Sequence, residues 1–143
     1  MKQVSKYITF FVFPIIVLLV HLIVSTLFDL YTIFPNLDIP FHYMGGFSIA
    51  FTSVQILSYL ERERITATLN RAISMVLIFS LTSTATVFWE FVEFIGDQLF
   101  GTNIQISLAN TMQDQFMGIL GGLTWIFIYY RNFLTQKQAL NGK

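Results

Sequence analysis

Acidic and histidine side chains recur at helical spacing in two apolar stretches of the sequence. Glu90, Glu93 and Asp97 lie within about 60° of one another on a helix that turns 100° per residue. Asp38 and His42 are four residues apart, so they also share a helix face. Carboxylates and imidazole together suit Mn, Zn, Mg or Fe. A pair of carboxylates also suits general acid–base catalysis without a metal.

These residues predict one polar cluster built from at least three helices. The candidate metal ligands are His42, Glu90, Glu93, Asp97, Asp114 and Asp38, and the candidate catalytic residues are Glu90 and Glu93. A divalent metal (Mn, Zn, Mg or Fe) would relieve the repulsion between packed carboxylates. It would also activate water for hydrolysis of a lipid or cell-envelope substrate.

Structural roles explain the same acids one at a time. Asp38 precedes a helix with Pro40 close behind, which is typical of an N-cap. Thr111 and Asp114 have the spacing of a capping box. The acids of the third apolar stretch would lie in the headgroup layer of a membrane, where an ionised carboxylate costs little. Either set of roles fits the sequence.

Polar residues also follow the first apolar stretch, where His21, Ser25 and Asp29 recur every four residues. A lone histidine in a membrane helix is more often a hydrogen-bond partner of another helix than a ligand, and we interpret His21 in that way.

Two alternatives to an enzyme stay open for the whole protein. One is an accessory or structural membrane subunit, and the other is a component of a small transporter.

The composition explains where such a cluster would have to work. The chain has 143 residues, of which 55% are hydrophobic and only 11% are charged, and it has no cysteine. A soluble domain carries about 25% charged residues, so a water-soluble monomer is excluded. Zero net charge excludes a nucleic-acid-binding module. The absence of cysteine excludes thiol catalysis, Cys-bound zinc and disulfides.

Four apolar stretches are long enough to cross a bilayer, which needs about 20 residues per helix. We predict a single integral membrane domain over residues 1–143, an all-α four-helix transmembrane bundle. The predicted spans are about 7–28, 41–60, 72–95 and 112–130, with residues 96–110 forming a loop outside the membrane.

All eight basic residues fall on one side of these spans, and none lies in the first or third loop. They are Lys2, Lys6, Arg62, Arg64, Arg71, Arg131, Lys137 and Lys143. The positive-inside rule therefore predicts that both termini are cytoplasmic. The protein is expected in the cytoplasmic (inner) membrane of a bacterium as a multi-pass protein, with the lipid bilayer as its partner and the acidic cluster near the outer face.

Small residues predict close contacts between the spans. Gly118 and Gly122 form a GxxxG pair with Gly121 beside it, and Gly46 and Ala50 form a second small pair. Small residues let helix backbones approach closely in lipid. They would turn Asp114 into the bundle, and they also suggest a homo-oligomer formed through the glycine-rich spans.

Three segments carry a family resemblance: DIPFHYMGG at 38–46, WEFVEFIGD at 89–97 and TMQD at 111–114. They resemble the YjdF-like family of small integral membrane proteins and, more distantly, VanZ-like proteins. In the family pattern an acidic residue commonly precedes the Thr of the last segment, where this chain has Asn110. The resemblance implies that the acids and His42 form one polar signature, and it implies no particular reaction.

Overall fold

The computed structural model of the chain describes the backbone of residues 2–26, 34–101 and 104–141, and the side chains of 9–24, 34, 36–101 and 104–131. The described residues form four α-helices, one 3₁₀ turn and no β-strand, which confirms the all-α prediction. The elements are α1 Lys2–Thr26, the 3₁₀ turn Pro35–Leu37, α2 Asp38–Arg62, α3 Arg71–Phe100 and α4 Leu108–Asn141.

Helix α3 is longer than the apolar stretch that predicted it. Asn70 caps its start by accepting a hydrogen bond from the backbone N–H two residues on, at 2.9 Å. Its end is set by Gly101, which is left-handed with φ +65° and donates its N–H to the carbonyl of Asp97 at 3.0 Å. The predicted loop at 96–110 is therefore wrong at both ends, because the helix continues to Phe100 and α4 begins at Leu108.

The caps of α2 and α4 do not involve the acids that the sequence suggested. The Ser107 hydroxyl accepts a hydrogen bond from the N–H of Asn110 at 3.2 Å, as an N-cap does. Asp114 lies two turns into α4, so the capping box with Thr111 is wrong. Asp38 is itself the first residue of α2, and the N-cap before it makes no side-chain hydrogen bond, so Asp38 is not an N-cap either.

The bundle is held together by close contact between α2 and α4. A Cβ added to Gly46 would overlap the backbone of Gly118, and one added to Gly121 would overlap the carbonyl of Tyr43. Gly45, by contrast, has nothing within 4 Å of such a Cβ. The predicted small-residue contacts are therefore confirmed inside the chain. These glycine faces already pack on neighbouring helices of the same chain. A homo-oligomer formed through the same glycines stays a prediction.

Helix α3 packs on both α2 and α4, while α1 packs on α2. A buried apolar layer of Ala50, Val54, Ile78 and Ile126 fills the middle of the bundle. The start of α2, the end of α3 and the start of α4 meet on one side of this layer. We name this side the cluster end. The opposite side carries Arg62, Arg64, Arg71 and Arg131, and we name it the arginine end.

Among the described helices, α3 is the one that is long and apolar enough to cross a membrane. It has 30 residues and a mean hydropathy of 1.7 over its most apolar window, only 11% of which is buried in the protein. Residues 9–24 of α1 form a shorter apolar stretch. Phe88, Phe91 and Val92 on α3 are more than half exposed, as side chains that face lipid would be.

Candidate metal centre

Five of the six predicted ligands come together at the cluster end. The first two turns of α2 contribute Asp38 and His42, the second half of α3 contributes Glu90 and Glu93, and the second turn of α4 contributes Asp114. Two groups have ligand atoms that all lie within 4.8 Å of one another: Asp38, His42 and Asp114, and His42, Glu90 and Glu93. His42 belongs to both groups and is therefore the centre of the cluster.

Both ring nitrogens of His42 face carboxylates. Nε2 lies 3.3 Å from Asp38 Oδ1, without the alignment of a hydrogen bond, and 3.9 Å from Glu93 Oε1. Nδ1 lies 3.7 Å from Glu90 Oε1. The spacing of Asp38 and His42 on α2 thus produces the shared face that the sequence predicted, and the packing of α3 against α2 supplies the other two carboxylates.

The cluster is buried, and three of its atoms are unpartnered. Exposure is 8% for His42, 3% for Glu90, 6% for Glu93 and 1% for Asp114. His42 Nε2, Glu90 Oε1 and Asp114 Oδ1 have no hydrogen-bond partner among the described residues. Nearly all buried polar atoms in proteins are satisfied. The described contacts therefore leave three buried atoms of one cluster without a partner.

Each buried carboxylate accepts a hydrogen bond from a neutral side chain, on the oxygen away from His42 in Glu90 and on the oxygen that faces His42 in Glu93. The donor–acceptor pairs are Trp89 Nε1 with Glu93 Oε1 (2.7 Å), Gln105 Nε2 with Glu90 Oε2 (3.1 Å) and Asn110 Nδ2 with Asp114 Oδ2 (2.7 Å). A neutral donor orients a carboxylate without cancelling its charge. Sequence reasoning missed these donors, although Trp89 and Asn110 each lie four residues before their acid, a spacing that would have found them.

No arginine whose side chain is described forms an ion pair with the buried acids. The nearest oxygens of Glu90 and Glu93 lie within 4.8 Å. Two ionised carboxylates that close repel by about 3.5 kcal/mol at an effective dielectric constant of about 20. That is a large fraction of the roughly 5–15 kcal/mol that stabilises a typical domain. The arrangement therefore calls for a cation or a shared proton.

Asp97 has a different role from the other predicted ligands. Its two carboxylate oxygens accept the backbone N–H groups of Ile104, at 2.8 Å, and Gln105, at 2.9 Å. Gln105 in turn donates its side-chain amide to the backbone carbonyl of Glu90 at 2.9 Å. Asp97 thereby ties the α3–α4 connection across the cluster end, and neither ligand group includes it.

His21 lies beside the cluster and makes edge-on ring contacts. Its ring centroid is 5.3 Å from that of Phe41 and 5.8 Å from that of Trp89. His21 thus joins α1 to α2 and α3 through ring contacts, and its predicted hydrogen bond to another helix stays a prediction. The rest of its predicted stripe, Ser25 and Asp29, lies outside the residues whose side chains are described.

The family comparison covers the cluster as well as the helices. A family described as "Predicted membrane protein (DUF2238)" matches residues 3–134. The chain belongs to this family. The DUF2238 match includes every residue of the cluster and parts of all four helices, and it shows a membrane protein without assigning an activity or supporting the YjdF-like or VanZ-like names. No curated protein and no solved structure matches this DUF2238 member.

Proposed function

We propose that the protein is an integral membrane protein that binds one divalent metal ion at the cluster end. The observation that carries this proposal is the buried group of His42 and carboxylate side chains, in which His42 Nε2 and Asp114 Oδ1 have no hydrogen-bond partner among the described residues. These side chains come from three different helices, so no local capping or turn geometry accounts for them together. Helix capping does not account for Asp38 or Asp114, because neither residue caps its helix.

The distances suit a shared ion. Two ligand atoms that each lie about 2.1 Å from one ion are at most about 4.2 Å apart. The separations of 3.3 Å and 3.9 Å from His42 Nε2 to the oxygens of Asp38 and Glu93 are within that limit. One imidazole among several carboxylates is a hard, oxygen-rich set, which suits Mn, Zn, Mg or Fe and disfavours soft metals.

The membrane arrangement is the second part of the proposal. All four helices would cross the bilayer, with both termini and the α2–α3 connection in the cytoplasm. The eight basic residues of the sequence support this orientation through the positive-inside rule. Arg62, Arg64, Arg71 and Arg131 occupy one end of the bundle. The cluster end would then face the outside of a cytoplasmic (inner) membrane.

A metal ion at this level would serve hydrolysis of a lipid or cell-envelope substrate at the outer leaflet. A bound ion supplies the chemistry by polarising an oxygen or activating water. Glu90 and Glu93, the predicted catalytic residues, would accept a proton from that water. Asp38 is the most exposed member of the cluster, with 19% of its side chain accessible, so the ion and a substrate would approach from its side.

A transporter is the less favoured alternative, because the apolar layer interrupts the polar residues. Ala50, Val54, Ile78 and Ile126 lie between the cluster and a cavity of about 220 Å³ at the arginine end. An accessory subunit without chemistry makes the opposite prediction from a metal protein, since its buried acids would tolerate replacement by amides.

The deciding experiment is elemental mass spectrometry of the purified full chain in mild detergent. We expect near-stoichiometric Mn, Zn, Mg or Fe in the wild type and its loss in Asp114→Asn. Glu63→Gln is the matched control, because it removes one carboxylate charge at the exposed arginine end. Metal absent from the wild type after incubation with each of these ions would contradict the proposal. So would equal metal in wild type and Asp114→Asn when both proteins are monodisperse and helical.

A further inference from the structure

We propose that Glu90 is a positioning residue and not a metal ligand. Its carboxylate would hold the Nδ1 side of His42, so that Nε2 faces the ion. This division of roles rests on the proposed metal site and names the part that each side chain plays in it. The remaining ligands of the ion are then Asp38, Glu93 and Asp114, together with His42 Nε2.

One imidazole ring offers a single ion only one of its nitrogens. His42 Nε2 faces two different carboxylates, Asp38 at 3.3 Å and Glu93 at 3.9 Å. The Asp114 ligand atom also lies within 4.8 Å of those of His42 and Asp38. Acids from both α2 and α3 therefore lie near Nε2, which assigns the ion to that side of the ring.

The opposite nitrogen then carries the ring proton and needs an acceptor. Glu90 Oε1 is 3.7 Å from Nδ1 and has no hydrogen-bond partner of its own among the described residues. Shortening this separation by about 0.8 Å gives an ordinary N–H···O hydrogen bond. Metal-bound histidines in general donate their second N–H to a carboxylate, carbonyl or water, which fixes the tautomer and the ring orientation.

Glu90 is itself fixed from outside the cluster. Gln105 donates to both its side-chain Oε2, at 3.1 Å, and its backbone carbonyl, at 2.9 Å. The backbone N–H of Gln105 is held by Asp97 at 2.9 Å. A continuous chain of contacts thus runs from the α3–α4 connection through Glu90 to the ring of His42, so the connection sets the orientation of the coordinating nitrogen.

The test compares Mn²⁺ binding to the full chain in detergent micelles for the wild type, Glu90→Gln, Glu90→Ala and Asp114→Asn. A positioning residue of this kind changes metal affinity by about 10–100-fold. We expect Glu90→Ala to weaken Mn²⁺ binding by that factor while still binding one ion per chain. Glu90→Gln should lose less, because its amide oxygen still accepts the Nδ1 proton, and Asp114→Asn should lose stoichiometric binding.

The outcomes separate this inference from the metal site itself. Wild type without Mn²⁺ binding overturns the proposed function. A second outcome is that the wild type binds Mn²⁺ but Glu90→Gln loses stoichiometric binding, as Asp114→Asn does. Glu90 is then a ligand, and only the inference about its positioning role is overturned. Unchanged affinity in Glu90→Ala also overturns it. Gln105→Ala is a second variant, which leaves the Glu90 carboxylate in place. We expect it to bind Mn²⁺ more weakly. Its pulsed electron paramagnetic resonance spectrum should still show ¹⁴N coupling from His42.

Discussion

The two ends of the bundle use charged side chains in opposite ways. At the arginine end, Arg62 and Glu63 lie 3.7 Å apart with 65% and 41% of their side chains exposed. At the cluster end, Glu90, Glu93 and Asp114 are buried and form no ion pair with a described arginine. Water and a neighbouring cation explain an exposed acid. The buried acids, by contrast, have only neutral donors and one histidine as their described partners.

The comparison separates orientation from neutralisation. Trp89, Gln105 and Asn110 fix the directions of three carboxylates and leave their charge in place. At the arginine end, solvent screens the charge and the side chains need no fixed direction. The proposed metal site would account for this difference between the two ends.

Removing the helix contact beneath the cluster should have the largest effect. Gly46→Ala places a methyl group against the backbone of Gly118, which cannot move aside as a side chain would. We expect a loss of about 3 kcal/mol in the free energy of unfolding, the upper end of the usual cost of overpacking, together with loss of metal binding. The measurement is unfolding of the chain by sodium dodecyl sulfate in mixed micelles, followed by circular dichroism.

Gly45→Ala is the matched control for that variant. It makes the same chemical change one residue away, where nothing lies within 4 Å. We expect it to be neutral or to stabilise by up to about 1 kcal/mol through helix propensity. Equal stability of Gly45→Ala and Gly46→Ala would show that the close contact of α2 with α4 does not support the cluster.

A bound ion should stabilise the folded protein through the ligands at the cluster end and through no group at the arginine end. At a free ion concentration of 100 times Kd, the folded wild type gains about 2.7 kcal/mol, seen as a higher midpoint of thermal unfolding. His42→Ala should gain nothing, because it removes the residue shared by both ligand groups. Glu63→Gln should gain as much as the wild type. An equal gain in His42→Ala would place the ion elsewhere in the protein.

Without metal, removing one buried charge should stabilise the protein. Glu93→Gln keeps an oxygen for the N–H of Trp89 and removes the repulsion from Glu90. We expect the free energy of unfolding of the metal-free variant to be about 1–2 kcal/mol higher than that of the metal-free wild type. This gain is a part of the full Coulomb repulsion between the two carboxylates. With metal the order should reverse, since the variant lacks a ligand. A variant less stable in both states would indicate a purely structural carboxylate.

The smallest effect is expected at the arginine end. Glu63→Gln breaks the exposed pair with Arg62, and such pairs contribute less than about 1 kcal/mol. The free energy of unfolding should therefore change by no more than about 0.5 kcal/mol, with or without metal. A larger effect, or one that depends on metal, would remove the contrast between the two ends.

Hydropathy predicted where the helices lie but not where they end. Apolar stretches mark the lipid-compatible middle of each helix, so the all-α fold could be predicted directly. The ends depend on single capping contacts at Gly101 and Ser107, which hydropathy does not register. Gly96 began the predicted loop after the third span, yet in the structure it lies inside α3 with no close neighbour beyond the helix.

The centre of the site was predictable because spacing alone gives shared faces. The i, i+3 and i, i+4 spacings of Glu90 with Glu93 and of Asp38 with His42 survive in the structure, and the small residues bring those faces together. Asp97 shares the same stripe but is taken by backbone N–H groups of the α3–α4 connection. Backbone donors in a connection have no residue signature, so the sequence could not separate this aspartate from the others.

The hydrogen bond from Trp89 to Glu93 has an optical consequence. The chain has two tryptophans, and the indole N–H of Trp89 lies 2.7 Å from an oxygen of a proposed ligand. Trp125 instead packs on the rings of Phe47 and Phe51 beside the apolar layer. An event at the cluster would therefore change the emission of one fluorophore while the other serves as an internal reference. The protein thus carries its own unlabelled reporter, and Trp125→Phe would isolate its signal.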